Sequence, residues 1–175
     1  TYTANTTYTA TPTIIRTDYN TFTYSATSGV AYYVSTSSSQ PSAGSSAAST
    51  TFALNTWTTA TNTGNLTLSA GQTYYVWAKD ASTGGNVSAN EATIVVRTIT
   101  RTQGTGSTLT TKYDGASGTT FTAATSYVLN GTVIWASASA NTGYNTPTLT
   151  MAGKTKTAAG DTETATANVA IVSGA

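Results

Sequence analysis

The chain has 175 residues, of which 7% are charged, and a net charge of +1. That length fits one large or two small domains, and the seven Lys and Arg residues are too scattered for the basic surfaces that bind nucleic acids or anionic membranes. The sequence has no Cys and no His, which excludes disulfides, thiolate chemistry and the commonest catalytic bases. Because no run of about 20 apolar residues occurs, we expect no membrane-spanning helix.

Threonine makes up about a quarter of the chain, and eleven Tyr residues accompany it. β-branched and aromatic residues favour strands. They alternate with polar residues along much of the sequence, which is the period-2 pattern of a half-buried strand. We therefore predict an all-β protein.

The opening segment, residues 1–11, alternates without a break, with polar residues on one face. Ten extended residues reach about 33 Å, and Pro12 separates them from the strand that follows. We predict that this N-terminal extension adds as a donor strand to a neighbouring subunit. The alternative is that it joins the edge of its own sheet. The face that would enter the neighbour consists of Tyr2, Ala4, Thr6, Tyr8 and Ala10.

A first domain is expected at residues 12–98. Alternation predicts strands at 13–17, 19–25 and 30–35, and the Ser-rich segment 36–50 indicates a long surface loop. Three apolar residues are expected to return the chain to the core after this loop: Phe52, Leu54 and Trp57.

Two alternating runs at residues 74–79 and 92–97, joined by a segment rich in Gly, Ser and Asn, predict a β-hairpin. The residues before it resemble the L-x-P-G-x-x-Y pattern of fibronectin type III domains, with Leu68, Gly71 and Tyr74 matching and Ala70 in place of the usual Pro. The run YYVWAKDASTGGNVS is similar to a segment of Ig-like modules in bacterial surface proteins. This resemblance implies an Ig-like sandwich in which Tyr74 is a structural corner residue, its hydroxyl bonded to nearby backbone.

A second domain is expected at residues 99–175. The run GTVIWASA from Gly131 to Ala138, followed by Gly143-Tyr144 and Gly153, resembles the signature of small β-repeat modules in bacterial surface proteins. The two resemblances together imply two tandem Ig-like, β-sandwich-type domains preceded by the extension strand.

Aromatic residues on the outward faces of the predicted strands are candidates for binding or interface contacts. Exposed aromatic rings in so uncharged a chain suggest contact with a partner, which could be a sugar, another copy of the chain, or the other domain. The outward aromatics are Tyr33, Tyr75, Trp77 and Trp135.

Four N-x-S/T sequons are possible N-glycosylation sites and fit an extracellular surface, although so Thr-rich a chain also creates such motifs by chance. Their asparagines are Asn5, Asn65, Asn86 and Asn130.

The remaining polar residues do not predict a reaction. A glycosidase needs two carboxylates converging about 5 to 9 Å apart, and no pattern brings two of the six acids together. Lys112 and Asn168 stand in the order of the internal Lys–Asn cross-link of some surface proteins, a pairing that also arises by chance. Oxygen ligands for Ca²⁺ could come from four residues that more often bond their own turns: Asp80, Asn86, Asn90 and Glu91. We expect no enzyme activity, no cofactor and no metal.

These expectations lead to a structural function. We expect a subunit of an extracellular, cell-surface filament or stalk, a homopolymer assembled by β-strand addition between subunits. The alternative is an adhesin module that binds carbohydrate or another surface protein through the exposed aromatics.

Overall fold

The computed structural model describes residues 11–24, 29–59, 65–81 and 86–175. Within these ranges the chain is all-β and has no helix, which confirms the fold class predicted from alternation and composition. The strands are β1 (Ile14–Asp18), β2 (Thr21–Tyr24), β3 (Val30–Ser35), β4 (Thr73–Asp80), β5 (Ala92–Gln103), β6 (Ser107–Tyr113), β7 (Thr125–Leu129), β8 (Val133–Ala140), β9 (Thr148–Met151), β10 (Lys154–Lys156), β11 (Asp161–Thr164) and β12 (Val169–Gly174).

The chain divides into two compact units, and the division falls inside β5, between Val95 and Val96. Most of the described residues before this point form unit 1, and most of those after it form unit 2. The domain limits and the Ig-like arrangement predicted from the sequence stay predictions. Unit 2 comprises residues 18–20, 68–71 and 96–175, and unit 1 the other described residues.

In unit 1, strands β3, β4 and the start of β5 form an antiparallel sheet. The hairpin predicted from the two alternating runs is confirmed, with Tyr74 of β4 opposite Ile94 of β5. Strands β1 and β2 form a separate sheet, and β2 buries two rings. Phe22 tilts against Tyr74 at 6.3 Å, and Tyr24 stacks on Tyr32 at 3.8 Å. Such aromatic pairs add about 0.5 to 1.5 kcal/mol to the stabilisation from burial alone.

Unit 2 is a sandwich of two sheets. One has the order β7–β5–β12–β9–β10, in which β5 and β12 are parallel and the other neighbours antiparallel. The other has the order β6–β8–β11 and is antiparallel throughout. Alternate residues of both sheets point into one core, where each fully buried large aliphatic side chain contributes roughly 1.5 to 3 kcal/mol. Its fully buried aliphatic members include Ile99, Val128, Ile134, Leu149 and Ile171.

Candidate functional site

The long Ser-rich loop of unit 1 is attached to the sheet beneath it. Tyr32 of β3 and Thr58 exchange two backbone hydrogen bonds, of 2.8 and 2.9 Å. The side-chain amide of Gln40 donates to the carbonyl of Ser88 at 2.9 Å. The segment 36–59 is therefore tied to the sheet edge at one end and to residue 88 at the other, and its conformation is defined by these contacts.

Lys79 of β4 is the most unusual residue under this loop, because a lysine with 0% exposure is rare. Its ammonium donates to the carbonyl of Ala43 in the loop at 2.5 Å and lies 5.0 Å from the ring centroid of Trp57. Burial lowers the pKa of Lys79, and the nearby Asp80 acts in the opposite direction. A buried cation needs such partners, so the lysine holds the loop against the sheet.

The ring of Trp57 is fixed in orientation by three neighbours. Its indole N–H donates to the carbonyl of Ser42 at 2.9 Å. The ring of Tyr33 lies 5.3 Å away at 51°, and Lys79 approaches the ring from the interior. Sequence reasoning assigned Trp57 to the core, whereas the structure leaves it half-buried. Leu54, also expected in the core, is exposed.

A pocket of about 200 Å³ opens beside Trp57. Apart from the indole, its walls are small or hydroxylated side chains, and no charged side chain lines it. We name it the Trp57 pocket. It is lined by Ala43, Gly44, Ser45, Ser46, Ala47, Ser49, Thr56 and Trp57.

Trp77 is 3% exposed, so the prediction that it faces outward is wrong. It lies opposite Tyr33 in the β3–β4 register, on the same face as Lys79. The loop segment 36–59 packs on this face through its contacts with Lys79, so both faces of β4 are covered here. Tyr33 and Tyr75 are half-buried on the same face.

Trp135 of β8 lies in unit 2 and is half-buried. The ammonium of Lys112 lies 5.6 Å from its ring centroid. A Cβ on Gly160 would come within 2.8 Å of the ring, so glycine leaves the space that the indole occupies. Trp135 is thus packed against its own unit.

The predicted corner residue, Tyr74, is buried. Its hydroxyl donates to the carbonyl of Thr67 at 3.0 Å, and burial raises its pKa. Tyr24 is also buried and its pKa is raised well above 10.0, first by burial and second by the neighbouring Tyr32. Unlike Tyr74, Tyr24 has no hydrogen-bond partner for its hydroxyl within the described chain.

The sequons differ in accessibility. Asn65 is exposed, and so is Thr67, which completes its motif. Asn130 accepts a hydrogen bond from the guanidinium of Arg97 at 2.8 Å. Asn5 lies outside the described residues. The hydroxyl residues that complete the sequons at Asn86 and Asn130 are fully buried: Ser88 and Thr132.

Two strand edges of unit 2 are covered by side chains from the opposite sheet. The guanidinium of Arg101 donates to the carbonyl of Leu109 in β6, and the amide of Leu109 donates to the side-chain carbonyl of Gln103 at 3.0 Å. At the other side of the sandwich, Lys156 donates to the carbonyl of Thr162 in β11 at 2.8 Å. We call these three contacts the edge staples. Unpaired edges invite pairing with other chains, and the staples occupy the groups that such pairing would use.

The charged residues near β11 form a small ion-pair network. Glu163 contacts Lys156 at 2.9 Å and Lys154 at 3.2 Å. The hydrogen bond from Lys156 is the main cause that lowers the pKa of Glu163. Hydrogen bonds from the backbone of Thr157 and of Thr162 lower the pKa of Asp161. The network is a surface feature that ties β10 to β11.

The other polar candidates are not brought together. Within the described residues, no group of three or more acids is placed to hold a metal ion, and this includes Asp80 and Glu91, which the sequence offered only as possible Ca²⁺ ligands. Lys112 donates to the carbonyl of Ala116 at 2.9 Å, while the side chain of Asn168 accepts from the amide of Thr98 at 2.9 Å. The two candidate cross-link residues therefore have separate partners.

The predicted donor strand, with Tyr2, Ala4, Thr6, Tyr8 and Ala10, lies outside the described residues. No helix in the described part of the chain is long and apolar enough to cross a membrane. No protein-family model, curated protein or solved structure matches the chain. The geometry defines its class as an all-β, sandwich-like protein.

Proposed function

We propose that the chain is a structural subunit of an extracellular, cell-surface filament or stalk. In this proposal residues 1–10 of one copy add as a strand to the β1–β2 sheet of the next copy. The observation that carries it is the small size of that sheet, which has two strands within the described residues. Two-stranded ladders are marginally stable at best, so an added strand would stabilise the sheet.

The surface of β1 fits the proposed donor. Ile15 is 51% exposed and lies in a strand that follows the alternating segment by only a few residues. The donor face carries Tyr and Ala side chains, which would cover such an aliphatic surface. Each backbone donor and acceptor of the added strand would find a partner in the acceptor sheet, as in other cases of strand addition.

The edge staples favour β1, rather than a strand of unit 2, as the acceptor of the added strand. At β6, both main-chain groups of Leu109 are already bonded to side chains. At β11, Lys156 bonds the carbonyl of Thr162. A strand added at either place would have to displace charged or amide groups from satisfied hydrogen bonds, which costs free energy.

Strand addition of this kind joins two different surfaces, so it is heterologous. A heterologous contact repeats head to tail and gives an open filament unless the geometry closes it into a ring. The proposal therefore predicts polymerisation that needs no catalytic or metal site.

Deletion of residues 1–11 tests the proposal. Negative-stain microscopy of the full chain should show filaments, and the truncated chain should remain monomeric. A synthetic peptide of residues 1–11 should bind the truncated chain, whereas a peptide of the same composition with its alternation broken should not. Filaments of normal length from the truncated protein would refute the donor-strand assembly.

A pair of point variants tests the acceptor. Ile15→Glu places a charge on the proposed acceptor strand and should shorten or abolish the filaments. Val172→Glu is the matched control, because Val172 is another exposed β-branched residue, at 43%, but lies on β12 of unit 2. Equal polymerisation of the two variants would show that β1 is not the acceptor.

A further inference from the structure

We propose that the Trp57 pocket is a binding site for a neutral saccharide, and that it takes one pyranose ring of a β-linked glucan. This site is separate from the strand-addition surface and does not depend on the proposed filament. It also differs from the outward aromatics predicted from the sequence, because Trp57 was not among them.

The pocket has a stacking surface of fixed orientation. The indole N–H of Trp57 is bonded to Ser42, and Tyr33 supports the ring from one side. Lys79 is fully buried, so its ammonium contacts the ring from the protein interior. The pocket therefore presents a ring that needs no reordering before a ligand stacks on it, which lowers the entropic cost of binding.

The polar groups around the ring suit a ligand with many hydroxyls. Ser45 and Ser46 line the pocket, and both residues are exposed. The hydroxyl of Ser49 is bonded to the backbone of residue 51, and that of Thr56 to the backbone of residue 54. A serine hydroxyl both donates and accepts, so Ser45 and Ser46 can pair with sugar hydroxyls of either role.

The absence of charged side chains from the pocket lining disfavours the binding of ionic ligands. None of the side chains that line it is charged, and the nearest ammonium, that of Lys79, already contacts the Ala43 carbonyl and the indole. A phosphate, a carboxylate or an ammonium ligand would lose its hydration without gaining an ion pair, which is unfavourable. A neutral polyol keeps its hydrogen bonds with serine in place of water.

A pyranose with equatorial substituents matches both features. Its axial C–H groups form an apolar face that stacks on an indole, while its hydroxyls point outward from the ring edge. Glucose in β-linkage has this shape on both faces. Since the pocket is smaller than the roughly 300 Å³ at which drug-sized sites begin, it holds about one ring, and we expect millimolar affinity.

Titration of the full chain with cellotetraose tests the proposal. The three indole N–H signals of a ¹⁵N-labelled sample identify the site, because only Trp57 lies at the pocket. We expect the Trp57 signal to shift and the Trp77 and Trp135 signals to stay in place. The absence of a Trp57 shift up to the solubility limit of cellotetraose would overturn the proposal.

Two variants distinguish the loss of the stacking ring from a change in the conformation of the loop. Trp57→Ala should weaken cellotetraose binding by roughly tenfold or more, as for the loss of a central aromatic contact, while the matched Trp135→Ala should bind like the parent chain. Because Trp57→Ala could also loosen the loop, a Ser45→Ala/Ser46→Ala variant provides a second measurement. That variant keeps the ring and should bind several-fold more weakly. Parental affinity in both the Trp57 and the serine variants would refute the site.

Discussion

Two of the buried tyrosines of unit 1 allow a test of how hydrogen bonding, rather than ring packing, stabilises this fold. Tyr74 donates its hydroxyl to the carbonyl of Thr67, whereas the buried hydroxyl of Tyr24 has no partner among the residues that the structure describes. Replacement of each by Phe removes one oxygen and keeps the ring. The two substitutions are therefore matched in size and opposite in their expected effect.

The expected change in unfolding free energy depends on whether each hydroxyl has a hydrogen-bond partner. Loss of a net neutral hydrogen bond costs about 1 kcal/mol, and the exposed position of Thr67 lets water bond its carbonyl in the variant. We thus expect Tyr74→Phe to destabilise unit 1 by about 1 kcal/mol. A buried polar group without a partner costs about 1 to 3 kcal/mol, so Tyr24→Phe should recover part of that cost and stabilise unit 1 by up to about 2 kcal/mol.

Urea unfolding followed by tryptophan fluorescence measures both changes. Two of the three Trp residues lie in unit 1, so a Trp135→Phe background makes the signal report that unit alone. The midpoint should fall for Tyr74→Phe and rise for Tyr24→Phe with an unchanged slope, because a constant slope means that the area exposed on unfolding is unchanged. In a thermal scan, 1 kcal/mol corresponds to roughly 4 to 8 °C for a unit of this size. Equal destabilisation by both variants would refute the reasoning, since ring packing would then explain both.

Two further predictions concern unit 2. Arg101→Met removes the hydrogen bond to Leu109 and uncovers part of the β6 edge. Analytical sedimentation should therefore show concentration-dependent self-association of this variant but not of the control Arg97→Met. A monomeric Arg101→Met protein would contradict the role of the staple. The lowered pKa of Glu163 means that its stabilising effect is present above its ordinary value of 4.5 and is lost as the pH falls through the lowered value. Unfolding midpoints of Glu163→Gln should therefore fall less on acidification than those of the parent chain, and parallel curves for the two proteins would exclude this linkage.

Local pattern indicated strand β8 of unit 2, for a physical reason. In β8 one face packs on the core and the other meets solvent, so Ile134 and Ala136 alternate with more exposed residues and the period is visible in the sequence. The same holds for the pairing of β4 with β5, where two alternating runs are joined by turn-forming residues.

The burial of Trp77 could not be predicted from the alternation of apolar and polar residues. Alternation assigns one face inward, but β4 is covered on both faces, and a strand of that kind reads as a continuous apolar run. The run from Tyr74 to Ala78 is of this type. Lys79 obscured the pattern, because a lysine at the end of a strand normally indicates solvent.

The Trp57 pocket could not be predicted from the sequence, for a different reason. It depends on contacts between distant positions, such as the bond from Lys79 to a carbonyl 36 residues earlier. A Ser-rich loop has no period from which its partner could be inferred. The one available signal was the pair of an isolated Trp in a loop and an isolated Lys in an apolar strand, the two residues that meet in the cation–π contact.

The cations of this protein bond mainly to oxygens that carry no charge. Backbone carbonyls and an amide side chain do not titrate in acid, and hydrogen bonds at short range are screened by salt much less than separated charges are. The internal contacts of these residues should therefore persist in acidic or saline solutions that break carboxylate ion pairs. Five of the seven Lys and Arg residues make such contacts: Lys79, Arg97, Arg101, Lys112 and Lys156.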